Sequence, residues 1–134
     1  VEVILMEVYD EAHALARSLR ASGAFQRFLK ANDALAAQPE KLERVKEFKV
    51  RQFEVEAQTL AEGKVAEDKL KALQQMADIL FLDPVVREYL EAENKFARMF
   101  ADVQKIILEA VKEWKPLGIP ETLQAQHHEE RENP

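Results

Sequence analysis

Acidic side chains are the residues with which this chain is best supplied for chemistry. Its 134 residues include 25 Asp and Glu, three His and no Cys. Carboxylates joined by histidine at helical spacing build di-iron and di-manganese centres, and that chemistry requires Glu-x-x-His repeats. None is present: Glu11 falls two residues before His13, and no His lies between residues 14 and 126. His127 and His128 are adjacent, a poor arrangement for gripping a metal ion. Ser18 and Ser22 are the only serines, and neither stands in a Gly-x-Ser-x-Gly turn. A glycine-rich phosphate loop and a His-Glu-x-x-His helix are also missing. The absence of Cys removes disulfides, thiolate metal sites, cysteine nucleophiles and Fe–S ligation. The reading is therefore of a protein that is not an enzyme, with no catalytic residues, no metal site and no cofactor.

Two charged features stand out. Glu93 interrupts an otherwise apolar seam, and a charge in such a place is costly unless paired. It is expected to sit at the seam's edge, to pair with a Lys or Arg of a neighbouring helix, or to contact a partner protein. The second feature is a basic window from Arg17 to Arg51, with nine Lys and Arg against four Asp and Glu. The window is +5 and the remainder −11, giving the net charge of −6. That net charge argues against general binding to nucleic acid or an anionic membrane. Within the window, Lys46, Lys49 and Arg51 form a candidate docking surface for an acidic partner or RNA. The alternative is solvated faces that help helices pair.

These residues are positioned by helices. Three Gly and five Pro are few, and the chain is rich in helix formers. A first helix is predicted from about Val3 to Arg20, with Leu5, Val8, Ala12, Leu15 and Leu19 stepping three, four, three, four. Ser22 can cap a second, about Ala24 to Ala37, burying Phe25, Phe28, Leu29 and Leu35. After the break at Pro39, a third runs from about Glu40 to Glu62. Leu42, Val45, Phe48, Phe53 and Leu60 supply its apolar side. Gly63 ends it, and the short turn makes the third and fourth helices antiparallel neighbours. The fourth, about Ala66 to Phe81, presents Leu70, Leu73, Ala77 and Leu80.

Asp83-Pro84 is a helix-start signal, a capping carboxylate followed by a proline suited to the first helical position. No Gly or Pro then interrupts the chain before Pro116. Val86, Tyr89, Glu93, Phe96, Phe100, Val103, Ile107, Ala110 and Trp114 form a heptad seam through this last helix. Such a helix is on the order of 45 Å long and must lie along something. The first seven of these residues are the candidate partner or oligomer interface. The fold class is all-α, an antiparallel helical bundle or hairpin of about five helices with a long C-terminal one. Residues 1–115 form the helical domain and 116–134 a polar tail expected to be disordered. No apolar run approaches the length of a membrane span, and Val1–Met6 lacks the basic flank of a signal peptide. A cytoplasmic protein is expected.

From Phe28 to Val111 the chain resembles the YlbF/YmcA family of small bacterial helical proteins. The resemblance is carried by Phe28-Leu29-Lys30-Ala31, Phe48-Lys49-Val50-Arg51-Gln52, Ala57 to Lys64 and, above all, Leu80 to Glu93. Asp102-Val103-Gln104-Lys105-Ile106-Ile107 is the most typical part of the closing pattern. The resemblance implies an all-α regulatory protein whose helical hairpin self-associates or pairs with relatives. It also implies partners: in bacilli, members form a complex with a YaaT protein. That complex promotes competence, sporulation and biofilm formation, and is tied to RNase Y-dependent mRNA maturation. It carries Fe–S clusters, which this Cys-free chain has no thiolate to hold. The function expected is that of a non-enzymatic adaptor. The alternatives are a nucleic-acid-binding helical module using the basic window, or a homo-oligomeric scaffold of unassigned role.

Overall fold

The computed structural model describes residues 2–115, all in helices and short connections. The helices are α1 (Glu2–Ala21), α2 (Gly23–Ala36), α3 (Pro39–Glu62), α4 (Glu67–Leu80) and α5 (Pro84–Ala110). Contacts group into two units, residues 1–99 and 100–134. The first holds α1 to α4 and most of α5; the described part of the second is residues 100–115. The expected tail, 116–134, lies outside the described residues.

Local chemistry sets the boundaries. Ser22 caps α2, its Oγ accepting from the Phe25 N–H at 3.2 Å and donating to the Leu19 carbonyl at 2.7 Å. Pro39 opens α3, where its missing N–H has no partner to lose. Gly63 closes α3 in the left-handed region at φ 76°, its N–H donating to the Thr59 carbonyl. A β-carbon would strain that backbone. α4 starts without a side-chain cap but carries Glu67 and Asp68 in its first turn, where carboxylates favour the helix dipole. Asp83 caps α5, one carboxylate oxygen accepting from the N–H groups of Val85 and Val86 at 2.9 and 3.4 Å.

The core of the first unit draws one stripe from each of four helices. Leu35 of α2, Val45 and Phe48 of α3, Leu80 of α4 and Val86 of α5 form a single buried cluster. Leu42, Leu73, Met76, Ala77, Val85, Tyr89 and Leu90 pack around it. Each fully buried aliphatic side chain contributes about 1.5–3 kcal/mol. α3 and α4 are antiparallel: Leu80 at the end of α4 meets Val45 near the start of α3. At the other end, Lys69 donates to Gln58 at 3.4 Å.

Three expectations are corrected. α1 adds nothing to this cluster; of its stripe only Leu19 is half-buried, while Leu5, Val8, Ala12 and Leu15 are exposed. α3 does not bury Phe53 and Leu60, which are 70% and 75% exposed. Beyond Lys49, only Val55 and Gln58 of α3 are half-buried. At 3.6 residues per turn, Phe53 and Leu60 fall on a different side of the helix. Finally, α5 ends at Ala110 rather than Trp114. The Val111 and Trp114 N–H groups reach back only three residues, to Leu108 and Val111, so the α-helical ladder has already tightened into turns.

Candidate interaction surface

The first part of α5 is held by cations from two helices. Arg27 of α2 forms a fork with Glu88, Nε to Oε1 at 2.6 Å and Nη2 to Oε2 at 2.9 Å, and reaches Glu91 at 3.6 Å. Two-pronged guanidinium–carboxylate contacts fix geometry as well as charge. Lys41 of α3 pairs with Asp83 at 2.7 Å, on the carboxylate oxygen not used for capping. Further along, Lys49 of α3 donates to Glu93. Glu93 also accepts from the Tyr89 hydroxyl, and the Lys49 ammonium stands 5.9 Å from the centre of the Tyr89 ring.

These contacts move the titrations of the groups involved. The hydrogen bond from Lys41 holds the Asp83 carboxyl below its usual range, and that from Arg27 does the same for Glu88. Burial, then the hydrogen bond to Glu93 and its charge, push the Tyr89 phenol up. Glu93 is thus a paired register residue between α3 and α5. Beside it, Phe96 packs against Phe25 at 4.9 Å and Phe28 at 6.3 Å between ring centres, and Phe28 meets Tyr89 at 5.8 Å. Aromatic pairs at these separations add to the energy of burial itself.

The candidate interface residues therefore separate. Val86 is 1% exposed and enclosed in the core, so it has no surface to offer a partner. Tyr89, Glu93 and Phe96 are half-buried and engaged within the chain. In the second unit Phe100 and Ile107 are exposed and Val103 is half-buried. Trp114 and Ile106 are also exposed there. The three candidate docking cations all face carboxylates of this chain: Lys46 with Glu43 at 3.4 Å, Arg51 with Glu47 at 3.3 Å, and Lys49 with Glu93. Lys46 and Arg51 remain more than half exposed on the surface of α3, and Lys49 is half-buried.

The first unit also exposes apolar surface away from the α5 seam. On α1, Val3 to Met6, Val8 and Tyr9 are each between 53% and 70% exposed. On α3, Val50 joins Phe53 and Leu60 on the outer side. The α1 signal was visible as an apolar run at the N-terminus. The α3 signal is hidden in the sequence because two apolar stripes interleave on one helix. The Arg27–Glu88 fork had no sequence signal, since the residues are 61 apart and many carboxylates compete. Among the described residues, no group of three or more His, Asp or Glu is placed to hold a metal ion. None of their buried side-chain polar atoms lacks a hydrogen-bond partner.

Comparison with known proteins adds relatives to this geometry. Residues 8–112 match the family described as "Control of competence regulator ComK, YlbF/YmcA". A UPF0342 protein of Desulfitobacterium hafniense is 34% identical over 121 residues, covering 90% of this chain and 98% of its own. A UPF0342 protein of Caldicellulosiruptor saccharolyticus is 36% identical over 107 residues, covering 80% and 89% respectively. Among solved structures, a Bacillus stearothermophilus protein of unknown function (DUF964) superposes with a TM-score of 0.66 at 15% identity. That match covers 84% of this chain and 99% of the other, and shows a shared all-α fold. The extent of the family match and the near-complete overlap with these relatives place the chain in the YlbF/YmcA family.

Proposed function

We propose that the protein is a non-enzymatic adaptor that works by presenting helix faces to other chains, its own copies and family relatives first. The observation that carries this reading is the exposed apolar surface of α1, a run of large side chains in an amphipathic helix that supplies nothing to the core. Contiguous apolar surface of this kind marks sites of protein association. The exposed side chains of the second unit, Ile107 and Trp114 among them, add to it. The family description supports a regulatory role connected with competence. A complex with a YaaT-like protein, acting in sporulation, biofilm formation and RNase Y-dependent mRNA maturation, is the specific form of that role proposed here.

Two measurements test the reading. Light scattering of the purified chain at micromolar concentration is expected to give a mass above the 15.4 kDa monomer. Co-expression with a family relative and a YaaT-like protein is expected to yield a complex that stays together through size-exclusion chromatography. A monomer that binds neither protein would sink the adaptor reading. Labelled RNA is expected not to bind even at low salt, because Lys46, Lys49 and Arg51 face carboxylates of this chain.

A further inference from the structure

α3 carries a second apolar stripe. Val50, Phe53, Ala57 and Leu60 step by three, four and three along the helix, and all four are exposed. Val50, Phe53 and Leu60 are 57%, 70% and 75% exposed. The stripe lies about 140° round the helix from the face of Val45 and Phe48, at about 100° per residue. It is therefore a surface that the described residues leave open.

The charges beside the stripe restrict what can cover it. Glu54 and Glu56 stand on opposite edges of the Phe53–Ala57 step, roughly 80° to either side of its midline. Glu62 follows near the helix end. Lys46, paired with Glu43, continues the stripe line four residues before Val50, and Lys49, held by Glu93, lies on the Glu56 edge; no Lys or Arg lies between Arg51 and Lys64. Arg51 itself is paired with Glu47.

A second copy fits the shape of this stripe but not its charge. Paired antiparallel about a two-fold axis, Phe53 would meet Ala57 of the other copy and Val50 would meet Leu60, a good match of large against small. The same axis would gather Glu54 and Glu56 of both copies, four carboxylates at the centre of the contact. Paired in parallel, Glu54 would need Lys49 of the other copy as its cross-partner. That ammonium is already held by Glu93.

We propose that the outer face of α3 is a docking site for an amphipathic helix of a different chain, one whose apolar stripe is bordered by Lys or Arg. The apolar stripe supplies the contact and the two glutamate edges select the partner's charge, as flanking residues do in paired helices. This deepens the adaptor reading and rests on it, but assigns α3 a partner distinct from a second copy.

The test uses the full chain and two fluorescent helical peptides with identical Leu/Ile stripes. One carries Lys at both flanking positions, the other Glu. Anisotropy titration is expected to show the Lys peptide binding more weakly as salt rises, and the Glu peptide binding at least about tenfold more weakly at low salt. Phe53→Ala with Leu60→Ala should weaken the Lys peptide about tenfold while circular dichroism and thermal unfolding stay unchanged, since neither side chain is in the core. Glu54→Lys with Glu56→Lys should reverse the preference between peptides. No binding, equal binding of both peptides, or binding indifferent to the Phe53 and Leu60 changes would each overturn the proposal. So would a drop in oligomeric mass with the Phe53/Leu60 variant, which would assign the face to a second copy. Failure of the unaltered chain to bind the Lys peptide, with self-association and relative binding intact, would remove this site and leave the adaptor reading standing.

Discussion

Glu93 is the residue whose setting most changes its meaning. In sequence it is a carboxylate inside a hydrophobic seam; in the fold it receives Lys49 and Tyr89. Glu93→Leu strips both of their acceptor and leaves a half-buried ammonium unpaired, so it should destabilise by on the order of 1 kcal/mol in urea unfolding. Replacing Lys49 and Glu93 together by Leu should recover most of that loss, since a paired charge exchanged for packing is often neutral. The pH dependence follows from the neighbouring groups. Asp83 and Glu88 are held more firmly charged in the fold than in the unfolded chain. Their contribution is present above about pH 4 and is lost as pH falls through their lowered folded values. Tyr89 is held more firmly neutral, so its contribution is complete below about pH 10 and is lost as pH rises beyond that. Urea midpoints measured across pH should fall at both ends. Asp83→Asn keeps the helix cap but loses the Lys41 charge pair, and should flatten the acid limb.

At the scale of the element, each helix has one feature on which its end or its face depends. Gly63 holds the left-handed turn between α3 and α4, with open space around it. Gly63→Ala should therefore cost about 1 kcal/mol through backbone strain alone, with no steric clash to add. Leu35 is fully buried among residues of α3, α4 and α5. Leu35→Ala should cost about 2–5 kcal/mol. Leu5→Ala, on the open face of α1, should change the unfolding of the isolated chain by no more than about 0.5 kcal/mol. Denaturant unfolding of the three variants at a concentration low enough to suppress association would rank them in that order.

For the molecule as a whole, the core is concentrated where α2, α3, α4 and the first part of α5 meet, and apolar surface remains outside it. Large apolar side chains of α1 and of the outer face of α3 are among those exposed. Association supplies the rest of the burial in the adaptor reading. Leu5→Lys combined with Val8→Lys should leave helical content and core unfolding intact while lowering the mass measured by light scattering. If mass and relative binding are both unaffected, the α1 face is not the surface on which this protein assembles.

By itself, the sequence determined the elements. Helix formers, Ser22, Pro39, Gly63 and Asp83-Pro84 act on residues within a turn of themselves, so the five helices and their ends were readable to within a residue or two up to Leu80. The end of α5 is not legible in the same way, because the chain tightens into turns before its proline. The family was also legible, because the order and spacing of packing residues are a property of the chain. Which stripe of each helix is buried was decided only by tertiary structure. A helix with two apolar faces, such as α3, offers both to the core, and the neighbours present choose one. The ion pairs belong to the same class: Arg27 to Glu88, Lys41 to Asp83 and Lys49 to Glu93 join residues 61, 42 and 44 apart. Charge pairing over such distances depends on where the helices lie, and only packing sets that.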